Sequence, residues 1–114
     1  MPYKGSSDYH GPSRDAITEA TGDGNDTTID EDTEVVFADT NDSALTVTVP
    51  EAAEVDGKRV VVTDAGGNAG TNNITVSAGS GNNVDGSDQD VTISTNYGEA
   101  ALVWSDDESG WFSY

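Results

Sequence analysis

Short runs of Val, Ile, Thr and aromatic residues recur from Thr27 onward, and Gly, Asn and Asp separate them. Such runs, spaced roughly ten residues apart, are typical of β-strands. Hydrophobic and polar positions alternate most clearly from Leu45 to Val49 and from Ile74 to Val76, which predicts aliphatic side chains facing a core and threonines facing solvent. The pattern predicts these strands: Glu34 to Phe37, Ala44 to Val49, Arg59 to Thr63, Asn73 to Ser77, Asp90 to Thr95, Ala100 to Trp104 and Gly110 to Tyr114.

Turns between these strands are marked by the dipeptides Asp56-Gly57, Gly66-Gly67 and Asp85-Gly86, because glycine accepts positive φ. Short strands at this spacing predict an all-β fold, either a single β-sandwich or a jelly-roll-like domain. A strand-rich subunit that completes its core by oligomerising is the other possibility. A chain of 114 residues has room for one such domain.

The first 26 residues have a different composition, with few apolar side chains and many Gly, Ser, Asp and Thr. Such a segment cannot bury enough surface to order itself, so residues 1–26 are predicted to form an extended N-terminal arm and residues 27–114 the all-β body. Basic and acidic side chains cancel within Met1 to Ile17, and the rest of the chain carries the whole net charge of −18. A near-neutral arm suits docking onto another acidic protein. The candidate docking residues are Tyr3, Lys4, Tyr9, His10 and Arg14, and a terminus without any partner is an equally open interpretation.

Acidic side chains dominate the composition, with 22 Asp and Glu against 4 Lys and Arg. Such a surface repels itself unless salt shortens the Debye length to about 3 Å, near 1 M. We therefore expect a salt-adapted source, although an ordinary acidic protein is the alternative. Nucleic-acid binding is not expected, because the chain has no basic stripe to displace counterions. No apolar stretch is long enough to cross a membrane, and no signal-peptide core follows Met1.

Groups that could carry catalysis are scarce. His10 is the sole histidine and lies in the predicted arm, where no packing would hold it against a nucleophile. Acidic residues are so abundant that no carboxylate pair points to glycoside hydrolysis. We therefore expect no enzymatic activity and no cofactor. The segment from Gly22 to Ile29 resembles one turn of a calcium-binding nonapeptide repeat, but a single copy cannot stack, so Asp23 and Asp26 are only weak metal candidates and no metal site is predicted.

Aromatic residues cluster near the end of the chain, as Trp104, Trp111, Phe112 and Tyr114. The segment between the tryptophans predicts a hairpin, which would place their rings near each other across two strands. Packing in the core or at an oligomer interface is the favoured interpretation, and an exposed cluster would instead suggest sugar stacking. The basic pair Lys58-Arg59 could bind a phosphate or carboxylate, or relieve local repulsion.

One stretch has a recognisable pattern, from Gly57 to Val76, with Asp-Ala-Gly-Gly-Asn-Ala followed by Asn-Asn-Ile. It resembles a module found in tail fibres and head-surface proteins of tailed bacterial and archaeal viruses. The similarity covers Thr28 to Tyr114, because further motifs follow in the family's order: Val84-Asp85-Gly86, Ile93, Tyr97-Gly98, Leu102-Val103 and Gly110-Trp111-Phe112. The resemblance implies an all-β, usually trimeric, non-catalytic virion component. It carries over no functional residue.

Tail fibres of this family have long shafts or repeats, whereas here a short arm precedes a single module. We therefore expect a decoration, turret or spike protein on the exterior surface of a virion, from a tailed virus of haloarchaea. It would be a homo-oligomer, with a trimer favoured, that docks through its arm to the major capsid protein or another virion protein and stabilises the shell. The alternative is a tail fibre or tail-tip module that recognises host-surface glycan. A calcium-binding or carbohydrate-active domain of a cellular protein is a weaker alternative.

Overall fold

The computed structural model describes residues 16–22, 26–79 and 83–114. In these ranges the chain forms short strands, and a 3-10 turn lies at Glu51–Ala53. None of the described segments forms a helix long and apolar enough to span a membrane. The strands are β1 Ile17–Thr21, β2 Thr27–Thr28, β3 Val35–Asp39, β4 Leu45–Thr48, β5 Arg59–Asp64, β6 Ile74–Ser77, β7 Asn83–Val84, β8 Val91–Ile93, β9 Glu99–Ser105 and β10 Gly110–Ser113.

These strands form two sheets, a larger one in the order β1-β3-β5-β9-β10-β7 and a smaller one in the order β2-β4-β6-β8. The expected all-β domain is confirmed, and every strand predicted from the pattern is present. β1, β2 and β7 were not predicted. Two of them have only two residues, which is too short to show an alternation.

The first six strands alternate between the two sheets, and within each sheet they pair in parallel. Each large-sheet strand and the small-sheet strand that follows it form one coil, so three coils stack in the manner of a flattened parallel β-helix. The later strands close one end of this stack, because β9 pairs antiparallel to β5 and β8 pairs antiparallel to β6. The coils differ in length, because the pairing of Ile17 with Val35 spans fewer residues than the pairing of Val35 with Val61. This difference in coil length hides the repeat in the sequence.

A single hydrophobic core lies between the two sheets. Every second side chain of each strand points into it, as the pleat of a β-strand requires. Burial of this apolar surface is the main stabilising contribution to the fold. The fully buried aliphatic positions include Val36, Leu45, Val47, Val60, Val62, Ile74, Val76 and Leu102.

The body also includes residues that the composition assigns to the arm. Strand β1 lies within residues 1–26, yet it pairs with β3 over its whole length, and Ala20 is buried in the core. Its sequence, Ile-Thr-Glu-Ala-Thr, contains the β-branched residues typical of a strand, but the polar residues around it mask the signal. The predicted docking residues of the arm, Tyr3, Lys4, Tyr9, His10 and Arg14, lie outside the described residues.

Candidate functional site

The carboxylate of Asp64 organises the loop that carries the most distinctive part of the sequence. Asp64 ends β5 and is fully buried. One oxygen accepts the backbone N–H of Gly67 at 3.0 Å, and the other accepts those of Ala69 at 3.0 Å and Tyr97 at 2.9 Å. Burial alone would raise the pKa of Asp64, but these N–H donors favour the charged form and hold the pKa below its ordinary value. The carboxylate therefore joins its own loop to the loop between β8 and β9.

Asparagine side chains extend this connection to the neighbouring coil. The amide of Asn68 donates to the side-chain oxygen of Asn41, and the amide of Asn72 donates to the carbonyl of Thr40 at 2.8 Å. On the other side, the N–H of Gly70 donates to the side-chain oxygen of Asn96 at 2.8 Å. We call the region formed by residues 40–41, 64–72 and 96–97 the Asp64 corner. Its polar side chains satisfy backbone groups that the strands leave unpaired, which is a structural role.

Tyr97 is the most exposed aromatic side chain in this corner. Its side chain is 74% exposed and its backbone has a positive φ of 61°, which is unusual for a bulky residue. The ring lies directly over Gly67, whose φ is 78°. A Cβ at Gly67 would lie 2.5 Å from Cζ of Tyr97, so the exposed ring would have to move to accept a side chain there.

Replacing Gly67 with alanine should destabilise the fold by about 1–2 kcal/mol, because it combines backbone strain with displacement of the Tyr97 ring. Gly86 provides the matched control, since it has a φ of 88° but no atom within 4 Å of an added Cβ. Gly86→Ala should therefore cost only about 1 kcal/mol. Denaturant unfolding of both variants measures the difference, and equal losses would show that the Tyr97 contact contributes nothing.

The two tryptophans occupy the predicted hairpin. Trp104 on β9 lies directly opposite Trp111 on β10, with ring centroids 5.5 Å apart and planes at 66°. Trp111 is fully buried and Trp104 is 8% exposed. The indole N–H of Trp104 donates to the carboxylate of Asp106 at 2.7 Å. Both tryptophans belong to the hydrophobic core, so neither ring is exposed as a platform for a sugar.

The carboxyl group of Glu54 lies near the indole of Trp111, in an unusual environment. Nε1 of Trp111 and Oε2 of Glu54 are both buried, and neither makes a hydrogen bond of normal geometry. The two groups lie close enough to interact, and the Trp111 N–H favours the charged carboxylate. Burial outweighs this effect and raises the pKa of Glu54. The incompletely satisfied pair is expected to cost stability, because both polar groups are buried.

The remaining aromatic residues of the hairpin are not in the core. Phe112 is half-buried and Tyr114 is 64% exposed. The guanidinium of Arg59 lies over the Tyr114 ring, 5.5 Å from its centroid. Beside Arg59 opens a shallow cavity of about 360 Å³, lined by Glu34, Val55, Asp56, Gly57, Lys58 and Arg59.

No grouping of His, Asp or Glu that could hold a metal ion occurs in the part of the chain that the structure describes. Of the two weak metal candidates, Asp23 lies outside the described residues. Asp26 uses one carboxylate oxygen to accept the N–H of Thr46 at 3.2 Å. The carboxylate of Asp26 thus connects the first coil to the second.

The two sheets have contrasting outward surfaces. On the smaller sheet, the side chains that alternate with core positions are hydroxyl-bearing, as the threonine pattern predicted: Thr28, Thr46, Thr48, Thr75, Ser77 and Thr92. On the larger sheet, the same alternation places many apolar side chains outside, together with polar ones such as Glu19, Arg59, Thr63 and Glu99. We define the outer face as the surface formed by Ile17, Val35, Phe37, Val61, Ala101, Val103, Phe112 and Tyr114. This face is the strongest candidate for an interaction site, because sheet surfaces that face water are normally polar.

Sequence reasoning did not find this face. Its strands were predicted, but their outward positions were not read as a surface, since the order of the strands was unknown. The pairing of β1, β3, β5, β9 and β10 brings the outward apolar residues together. A search of protein-family models finds no match to this chain, and a search of curated protein sequences finds none either. The geometry and the sequence pattern are therefore the grounds for a functional proposal.

Proposed function

We propose that this protein is a non-enzymatic structural component of a virion, located on the exterior capsid surface as a decoration, turret or spike protein. The observation that carries the proposal is the outer face, an apolar surface on a chain of net charge −18. Such a surface serves assembly rather than turnover. The virion setting rests on the resemblance of Gly57 to Val76 to the viral module, and the net charge favours a host that lives in concentrated salt.

The residues that carry the resemblance support a structural role. Asp64 and the asparagines of the same loop are engaged by backbone groups and by each other, so they are not free to act on a substrate. Their effect is to join neighbouring coils into a rigid body. A rigid body presented in many copies can stabilise a shell through contacts that are individually weak, because their contributions combine.

Attachment is proposed to occur through the N-terminal arm, whose near-neutral charge lets it approach an acidic partner such as the major capsid protein. The body is proposed to be a homo-oligomer, and the resemblance favours three copies. Since β1 belongs to the body, the arm that can be removed without disturbing a described strand ends at residue 15.

Deletion of residues 1–15 should abolish attachment while leaving the β-sheet signal in circular dichroism unchanged. The measurement is co-sedimentation of the truncated and full-length chains with virions stripped of this protein, in the same high-salt buffer. The full-length chain should sediment with the particles and the truncated chain should stay in the supernatant. Truncated protein that sediments with the particles would contradict attachment through the arm.

A second candidate function is glycan recognition at a tail tip, and Tyr97 is the observation that favours it. Its exposed ring is held over Gly67 in a strained backbone conformation, as expected of an aromatic platform for a sugar ring. Copy number distinguishes the two functions. Densitometry of purified virions should show a major band for a capsid decoration protein and a minor band for a tail-tip protein.

A further inference from the structure

The outer face contains a continuous apolar row. Ile17 pairs with Val35, Val35 with Val61, and Val61 with Ala101, so one row crosses four neighbouring strands. Tyr114 continues it, since its N–H donates to the carbonyl of Ala101 at 3.0 Å. With neighbouring strands about 4.8 Å apart, the row is roughly 20 Å long.

Part of this face is openly exposed to solvent. Ile17 is 38% exposed, Phe37 is 37% exposed and Tyr114 is 64% exposed. On the smaller sheet of the same protein, threonine and serine occupy the outward positions. The contrast indicates that the smaller sheet is adapted to water and that the outer face is adapted to a partner.

Charged groups around the outer face are divided between its two ends. Glu19 and Glu99 project beside it where β3 and β5 finish, and Asp39 lies at the same end. Arg59 projects at the opposite end, where β5 begins and pairs with Val103 of β9. Apart from its contact with the Tyr114 ring, Arg59 makes no ion pair within the described residues. The face is therefore acidic at one end, and at the other end Arg59 and Lys58 lie beside Glu34 and Asp56.

We propose that copies of this chain associate through the outer face, with the Arg59 end of one copy against the Glu99 end of the next. This inference rests on the homo-oligomer of the proposed function and names one of its contact surfaces. A face-to-face contact of this kind pairs two copies, so an assembly of three needs a second surface as well. A second copy fits because the same face supplies both the apolar row and the two opposite charges. Two faces that meet with their strands antiparallel place Arg59 of each copy beside the acidic end of the other.

Net charge also limits where two copies can meet. Each chain carries −18, so most of its surface repels another copy. At the outer face the charged side chains stay at the ends, and the centre is apolar. Contact along the row through Val35, Val61 and Ala101 buries no carboxylate, which would be costly, because Glu19 and Glu99 lie in the next row, beside Phe37.

The size of the face predicts a moderate affinity. Five strands at about 4.8 Å and about four residues at 3.3 Å give a footprint of roughly 24 Å by 13 Å. This is smaller than the roughly 800 Å² per partner of a standard stable interface. Association should therefore depend on protein concentration and increase with salt, which screens the repulsion and strengthens apolar contacts.

Sedimentation velocity over a concentration series in high salt tests the proposal with the full-length chain. The wild type should associate. Val61→Glu, at the centre of the apolar row, should weaken association about a hundredfold or more, because it places an unpaired charge in the contact. Thr75→Glu is the matched control, since it adds the same charge at a half-buried outward position of the smaller sheet, and it should leave association unchanged.

Charge exchange tests the orientation of the contact. Arg59→Glu and Glu99→Arg should each weaken association about tenfold, and the double variant should restore it. Circular dichroism confirms folding of each variant, and Val61→Thr replaces Val61→Glu if the latter does not fold.

Several results would overturn the inference. These are a monomeric wild type at every concentration, equal effects of Val61→Glu and Thr75→Glu, and a double charge variant that is weaker than either single variant. None of these results affects co-sedimentation of the chain with stripped virions. Failure of this contact and failure of the proposed virion attachment are therefore distinguishable.

Discussion

Replacement of Asp64 with alanine is expected to destabilise the fold by about 3–5 kcal/mol, the largest effect of any polar substitution in the body. The side chain is fully buried and accepts N–H groups of Gly67, Ala69 and Tyr97 at 2.9–3.0 Å. Alanine leaves these donors without an acceptor and disconnects two loops. Guanidinium or urea unfolding at constant high salt measures the change in the free energy of unfolding.

Two further variants separate the carboxylate from general charge effects. Asp42→Ala removes an exposed carboxylate in a neighbouring loop and should change the stability by less than about 0.5 kcal/mol. Asp64→Asn keeps the shape of the side chain but loses one acceptor oxygen and the charge. Its free energy of unfolding should therefore lie between those of the wild type and Asp64→Ala. If Asp64→Ala were as stable as Asp42→Ala, the buried carboxylate could not be the centre of this corner.

The pH dependence of stability provides a second measurement of the same group. Since the folded state lowers the pKa of Asp64 from its ordinary value of 3.8, this residue stabilises the protein above that pH. The contribution should be lost progressively as the pH falls below 3.8 and through the lowered pKa. In Asp64→Asn this component of the acid-induced loss should be absent, so the difference in stability between wild type and variant should narrow in acid.

Replacement of Trp111 with alanine is the second large effect, with an expected destabilisation of about 3–5 kcal/mol. Trp111 is fully buried and packs edge-on against Trp104 with centroids 5.5 Å apart. Alanine leaves a cavity that the surrounding strands cannot fill. The loss of the paired rings should also remove most of the aromatic signal in near-ultraviolet circular dichroism.

Tyr114→Ala is the matched control, because Tyr114 belongs to the same hairpin region but is 64% exposed. It should cost less than about 1 kcal/mol, chiefly through loss of the contact with Arg59. The destabilisation by Trp111→Phe should lie between those of Trp111→Ala and Tyr114→Ala, since a smaller aromatic ring keeps part of the packing and removes the buried N–H beside Glu54. Similar stabilities for Trp111→Ala and Tyr114→Ala would contradict the placement of Trp111 in the core.

The Asp64 corner and the outer face have different proposed roles, in stability and in association respectively. The corner joins the coils, so changes there act on stability first. Substitutions such as Val61→Glu lie on a half-buried surface and should act on association first. This separation makes loss of assembly without loss of folding the most informative phenotype for the proposed role on a virion.

Local pattern alone determined most of the strands and the direction of many side chains. The alternation from Leu45 to Val49 predicted the core positions of β4, and its threonines face outward as expected. The segment between Trp104 and Trp111 predicted the hairpin and the pairing of the two rings. These features depend on neighbours in the sequence or on a two-residue period, and both can be read directly from the chain.

Tertiary structure decided the connectivity, the outer face and the role of Asp64. Parallel pairing joins residues that are far apart in the sequence, such as Val35 and Val61, and the coils differ in length, so no fixed period reveals them. The outer face exists only because five strands with outward apolar positions become neighbours. Asp64 likewise resembles any turn aspartate until the Tyr97 loop is brought against it. A sequence pattern specifies which side of a strand is buried, but only the packed sheets specify what each side meets.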